Sequence, residues 1–345
     1  SPSFPIRPLT IVGKAGGTVA IEVNARRIGS PLDSLIEVFD SSGKRIALND
    51  DHPDRSAGLV THQADSFVLA KLPADGAYSV RITDTQGRGG PTFAYRLRVS
   101  PPRPDFTVVC VPSCINVNSG SAQIVTAHVV RRDGFDGPID LSLADSLPGF
   151  SLSGARIPAG RDRVRFTLTA PGRAPAQPIA LKMEARAVIG GEAIVRRVRP
   201  GEDQMQAFLN RHLVPAEEML VFVRRAGRGR TPIRLATKGT LRLGAGHTAI
   251  VRVLSPVRPQ LDEWKFELDE APKGIEVVEV RSAPGGVELL LRADGAKAPA
   301  GYADNLIVAV YNEPQPKGDT KKSRRPTRRT FIGVLPAIPV EVVAE

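Results

Sequence analysis

The sequence predicts an all-β protein assembled from tandem β-sandwich modules, and three observations predict it. Apolar residues recur with period two along many short runs, as they do in half-buried strands. Gly (32) and Pro (30) are both frequent in the 345 residues, together well above the roughly 12% of average usage, so turns are many and elements short. No stretch alternates strand and helix patterns as a doubly wound sheet requires.

At roughly 100 to 200 residues per domain, a chain of 345 residues implies two or three units, each with its own core. A hydrophobic share of 41% and a charged share of 24% fit a globular protein and exclude wholesale disorder. No apolar run approaches the roughly 20 residues of a spanning helix, so no transmembrane segment is expected. Ser1 to Pro8 lack the basic start and apolar stretch of a signal peptide, and the sequence reads as a mature form.

In the first unit the alternation is clearest from Phe93 to Val99, where Phe93, Tyr95, Leu97 and Val99 share one face. Val19, Ile21 and Val23 precede it, and Tyr78, Val80 and Ile82 follow the turn Ala74-Asp75-Gly76. Pro101-Pro102-Arg103-Pro104 cannot join a ladder and marks a boundary. Beyond it, Gln123 to Val130, Ile139 to Leu143 and Val164 to Leu168 read as strands of a second unit. The one stretch with helical spacing is 203–213, where Met205, Phe208, Leu209 and His212 recur at three and four residues and Pro215 ends the run. A second boundary falls at Ala226-Gly227-Arg228-Gly229-Arg230. In the third unit Trp264, Phe266 and Leu268 alternate with Lys265 and Glu267, while Val287 to Leu291 and Leu306 to Tyr311 are continuous runs of core-strand length. The domains expected are therefore 1–100, 101–226 and 227–345.

Lys and Arg number 47 against 36 Asp and Glu, a net charge of +11. The densest cluster is Lys317, Lys321, Lys322, Arg324, Arg325, Arg328 and Arg329, opposed within that stretch by Asp319 alone. Such a cluster is either a solvated hairpin tip or a patch for an anionic polymer or matrix. No aromatic residue interleaves it, so it offers no platform for stacked bases and specific nucleic-acid binding is not expected. The two cysteines stand in Cys110-Val-Pro-Ser-Cys114. Two thiolates cannot complete a zinc site, and the spacing is one residue longer than that of thioredoxin-like redox pairs. In an oxidising compartment Cys110 and Cys114 are expected to close a small local disulfide; the alternative is a pair of free thiols.

Within the first hundred residues, Ala25-Arg26-Arg27-Ile28-Gly29-Ser30-Pro31-Leu32-Asp33-Ser34, Val38-Phe39-Asp40-Ser41-Ser42-Gly43-Lys44, Asn49-Asp50-Asp51-His52 and Arg88-Gly89-Gly90-Pro91-Thr92-Phe93-Ala94-Tyr95-Arg96-Leu97 follow one another. In order and spacing this run resembles the bacterial pre-peptidase C-terminal domain. That resemblance implies a small jelly-roll-like sandwich carried as a noncatalytic accessory module of secreted or cell-surface proteins. The remainder resembles the immunoglobulin-like modules that follow such domains, through the turns Asp133-Gly134-Phe135-Asp136-Gly137-Pro138-Ile139 and Leu147-Pro148-Gly149-Phe150. Cys110 and Cys114 are too close to bridge two sheets as immunoglobulin cysteines do, and only the architecture carries over.

The best candidate metal site is Asp33, Asn49, Asp50, Asp51 and Asp54, because loop carboxylates at one end of a sandwich supply the hard oxygens that Ca²⁺ takes. Some relatives of the pre-peptidase domain bind calcium, but the spacing is not an EF-hand loop, and polar capping turns explain the same residues. The five His residues are scattered without a His-Glu-x-x-His, and no Gly-x-Ser-x-Gly supplies a nucleophile elbow. Gly244-Ala-Gly-His-Thr-Ala249 fits a loose dinucleotide pattern but lies between two strands, where it reads as a hairpin turn. Trp264 alternates with core residues and reads as core. No catalytic residue and no cofactor other than calcium is expected. The reading is a noncatalytic exported protein serving a structural, adhesion or assembly role with a protein or polymer partner. The alternative is calcium-assisted or charge-driven binding of a polysaccharide, protein fibre or anionic matrix.

Overall fold

The protein is all-β. The computed structural model describes residues 8–51, 64–205, 211–225, 233–237, 239–255, 263–313 and 329–344. Among these residues the buried apolar side chains gather in three large, separate clusters. The chain is thus arranged as separately cored bodies.

In the first body a four-stranded sheet, in the order Leu9–Gly13, Gly76–Asp84, Ser34–Phe39, Arg45–Asn49, faces a three-stranded one, Phe67–Lys71, Thr18–Asn24, Arg96–Ser100. The period-two residues meet between them: Ile21 and Val23 pack with Ile36, Val38, Tyr78, Val80 and Ile82. The strand expected from Phe93 is shorter, because pairing begins only at Arg96. Phe93 nevertheless packs on the core from the preceding turn.

The second body gathers Phe106, Val108 and Cys110 with Val125, Phe166, Ile139, Met183 and Val221 in one cluster. Asp105–Val111, Ala122–Arg132 and Arg163–Thr169 lie side by side in its main sheet. The helix expected over 203–213 is not formed. Arg199–Met205 and Arg211–Pro215 pair as antiparallel strands, Asp203 opposite Leu213, and residues 206–210 lie outside the described residues. The competing principle is burial: Arg199 and Pro200 pair in parallel with Val109 and Cys110, and Leu213 packs on Val109 and Val111. Strand Asp105–Val111 is therefore covered on both faces, and a helix would leave its outer face bare.

The third body packs Val251, Leu289 and Leu291 against Leu243, Leu306, Val308, Val310 and Val340, with Trp264 at the rim. The apolar run 306–311 divides at Ile307. Ala303–Leu306 pairs with Ile338–Val343, whereas Val308–Asn312 pairs with Trp264–Leu268 and Thr330–Val334. The turn at 244–247 is likewise no hairpin, since Leu241–Gly244 pairs with Ile338–Val343 and Thr248–Leu254 with Gly286–Ala293. Both features carry the chain from one layer of the sandwich to the other.

Candidate functional site

The expected metal ligands lie in the first body, and Asp54 falls outside the described residues. Asp33 accepts a hydrogen bond from the Thr85 hydroxyl (2.7 Å), and the Asn49 side-chain oxygen accepts one from the Phe67 N–H (3.0 Å). Asp50 is exposed and Asp51 half-buried. Among the described residues no three His, Cys, Asp or Glu side chains are gathered as metal ligands.

The disulfide expectation is corrected. Cys110 and Cys114 are both free, the first buried and the second exposed. The chain changes sheet between them: Cys110 points into the core with Phe106 and Val108, while in Cys114–Asn118 it is Ile115 and Val117 that point inward, leaving Cys114 outside. Burial pushes the Cys110 thiol pKa up, which makes that sulfur inert.

Of the basic cluster, Lys317, Lys321, Lys322, Arg324, Arg325 and Arg328 lie outside the described residues. Arg329 is described and engaged, ion-paired with Glu267 and stacked 3.7 Å above the Tyr311 ring.

The most deeply engaged charged groups are ones that pattern reading missed. Asp65 is fully buried and accepts from the N–H groups of Ala25 and Arg26 (3.0 and 2.7 Å) and from Nε of Arg27 (2.8 Å), which ties down the short 3₁₀ turn Arg26–Ile28. Burial pushes its carboxyl up, but these donors outweigh it and hold the pKa below the usual range. Asp84 does similar work, taking the N–H groups of Asp33 (3.0 Å), Gln86 and Arg88 (both 3.1 Å).

Two junctions join the bodies. At the first, Asp133 is 5% exposed and accepts two bonds of 2.7 Å from the Arg98 guanidinium and one of 2.7 Å from the Arg103 N–H. Arg98 also reaches Glu22 at 2.9 Å. Asp133 sits at φ 50°, in the left-handed region that Asp and Asn tolerate better than other side chains. Burial pushes its carboxyl up, yet Arg98 and the Arg103 N–H hold it below the usual carboxylate range.

At the second junction the main sheet of the second body runs on into the third through the pair Ala122 and Val334, so that one sheet belongs to both. Ala122, Ile307, Val334 and Ala337 form a small apolar cluster there. The Asn305 amide donates across the joint to the carbonyls of Gly154 (2.6 Å) and Arg165 (2.8 Å), and the Thr167 hydroxyl accepts the Ala337 N–H at 2.8 Å. Around the rim Arg161 pairs with Asp304 at 3.0 Å, Arg163 with Glu270 at 3.1 Å and Arg165 with Asp269. Beside this joint opens a cleft of about 700 Å³, a size that suits a small ligand. Among the described lining residues, Ser119, Ser151, Ser153, Thr169 and Thr237 bring hydroxyls to its wall, Arg234 is the one charged side chain, and there is no carboxylate, His or Cys. That lining can hold a ligand by hydrogen bonds.

The geometry defines an all-β chain of linked sandwiches. No family model matches it. Over 75 residues it is 39% identical to a probable subtilase-type serine protease of Deinococcus radiodurans, a match that covers 21% of this chain and 9% of that protein. The chain thus spans less than a tenth of that relative's length. Solved structures with some likeness include the D00-D0 domain of intimin (12% identity, 68% of this chain and 99% of that one, TM-score 0.21). Protocadherin gamma B7 extracellular cadherin domains 1–4 give 11% identity over 99% of this chain and 73% of that one, TM-score 0.22. A marsupial T cell receptor gives 7% identity over 60% and 92%, TM-score 0.21. Among the described residues no helix is long and apolar enough to cross a membrane.

Proposed function

We propose that the chain is a noncatalytic exported module that acts as a stiff spacer and display arm, holding loops at a distance from whatever carries it. The observation that carries this reading is the second junction, where one sheet continues from body to body and Asn305 donates two hydrogen bonds across the joint. Inter-domain surfaces are ordinarily polar and allow relative motion; a shared sheet with a buried amide resists it. Arg98 and Asp133 give the first junction a comparable clamp. The modules are 1–100, of the pre-peptidase C-terminal type, then 101–226 and 227–345, of the immunoglobulin-like type. The likeness to a subtilase-type protease supports an accessory role beside a secreted peptidase. Small-angle X-ray scattering tests the reading. One rigid shape should fit the wild-type curve, and the double variant Asp133→Ala Asn305→Ala should require an ensemble. A wild-type chain that itself requires an ensemble of inter-body angles would overturn it.

A further inference from the structure

On the outer face of the second body, the strand Leu220–Arg224 leads into Arg225 beside the proline-rich segment 171–178, and a cleft of about 1150 Å³ lies between them. Phe222, 47% exposed, borders this cleft together with Arg173, Arg224 and Arg225. The three arginines are exposed, and among the described residues none has an ion-pair partner. Among the described residues no acidic side chain lines the cleft. An exposed aromatic ring inside a cluster of uncompensated guanidinium groups is the lining of a site for an anionic, partly apolar ligand.

The backbone adds a second and independent feature. Leu220–Arg224 pairs in parallel with Cys114–Asn118, and the bonds from the Leu220 N–H to Ser113 O and from the Ser119 N–H to Arg224 O aim the backbone groups of the even-numbered residues at that side. The odd-numbered residues face the other way, as the bond from the Leu181 N–H to Met219 O shows. On that other side pairing ends with Ile179 opposite Val221. Continued in register, Gln177 would meet Val223 and Pro175 would meet Arg225. The pairing ends at Ile179, and Pro175 has no N–H with which to resume it opposite Arg225. The Val223 side chain is buried, but among the described residues no strand pairs with its N–H and C=O on the side of the cleft, an edge of the kind to which an extended peptide adds.

We propose that this cleft binds an extended acidic polypeptide segment, which pairs with the Val223 edge and sets the carboxylates of its outward-facing residues on Arg173 and Arg224, their aliphatic stems lying over Phe222 on the same face. An anionic polysaccharide would satisfy the arginines and the ring but has no amide ladder to offer Val223, and so the peptide is the better fit. The proposal rests on reading the chain as a noncatalytic binding module, yet it does not depend on the stiffness of the junctions.

The test uses the full chain and a fluorescein-labelled peptide of alternating Glu and Val, followed by anisotropy, with hydrogen exchange at the Val223 amide as the second readout. Arg224→Gln Arg225→Gln and, separately, Phe222→Ser should each weaken binding about tenfold at low salt with unchanged melting temperature. Arg324→Gln Arg325→Gln in the basic cluster of residues 317–329 should leave binding unaltered. Bound peptide should slow exchange at Val223. The proposal is overturned if no peptide binds, if the Arg324→Gln Arg325→Gln pair abolishes binding, or if Val223 exchange is unaffected. It is overturned equally if oligogalacturonate binds through the same arginines while the peptide does not. Peptide binding by a chain whose scattering demands flexible junctions would refute the spacer reading alone.

Discussion

Replacing Asp133 by Asn removes one negative charge from the first junction while keeping a side chain that tolerates φ 50°, so backbone strain does not confuse the result. Three bonds of 2.7 Å are altered, two from Arg98 and one from the Arg103 N–H. Breaking a fully buried ion pair costs about 3 to 5 kcal/mol. Here the Arg98 side chain retains 29% of its exposure and still holds Glu22 at 2.9 Å, so solvent screening brings the expected loss to about 2 kcal/mol. The assay is chemical denaturation followed by circular dichroism, run as a double-mutant cycle with Arg98→Met. Coupling of at least about 1 kcal/mol is expected, and additivity within about 0.5 kcal/mol would refute the reasoning. The pH dependence has a definite sign. The folded-state pKa of Asp133 is depressed, so its contribution is complete above the unfolded value of about 3.9 and is lost as pH falls below it toward the folded value. The gap between wild type and Asp133→Asn should be constant from neutral pH to about pH 5 and should close below about pH 4.

Other perturbations probe other parts of the account. Asn305→Ala leaves the carbonyls of Gly154 and Arg165 without their donor and should cost about 1 to 3 kcal/mol in the same assay. Gly154→Ala attacks that contact from the other side, because φ is +72° and the new Cβ would stand 2.6 Å from the Asn305 amide; a melting temperature equal to wild type would contradict the geometry. Phe166→Ala empties a fully buried site in the second core and should cost about 3 to 5 kcal/mol. In the native protein a thiol reagent should modify Cys114 promptly and reach Cys110 only on unfolding; equal rates would contradict their opposite exposure.

Strands were legible in the sequence wherever one face meets a core and the other meets solvent. Ile139, Leu141 and Val164, Phe166, Leu168 alternate as written, and each packs inward. The hairpin of Arg199–Met205 and Arg211–Pro215 was not legible, because its pairing is decided by contact with Val109 and Val111 about a hundred residues away. The same limit applies to the apolar run that divides at Ile307: a continuous hydrophobic stretch is equally consistent with one strand or with two in different sheets, and only the partner strands decide. Cys110 and Cys114 are near in sequence, but the chain crosses between sheets within that interval, a change that spacing does not record. Asp133 appears within a turn motif, which explains its backbone conformation and gives no hint of Arg98. Phe222 and Arg224 alternate with the buried Val221 and Val223 as any surface residues would, and their setting emerges only with segment 171–178 alongside.

The central claim is that the bodies are held at fixed separations, and a distance distribution across both junctions tests it most directly. Spin labels at Val12→Cys in the first body and Val278→Cys in the third, both exposed positions, would be placed in a Cys114→Ser background and measured by pulsed electron paramagnetic resonance. A single narrow distance that is indifferent to salt is the expected result; a broad or multiple distribution in the wild-type junctions would contradict the account.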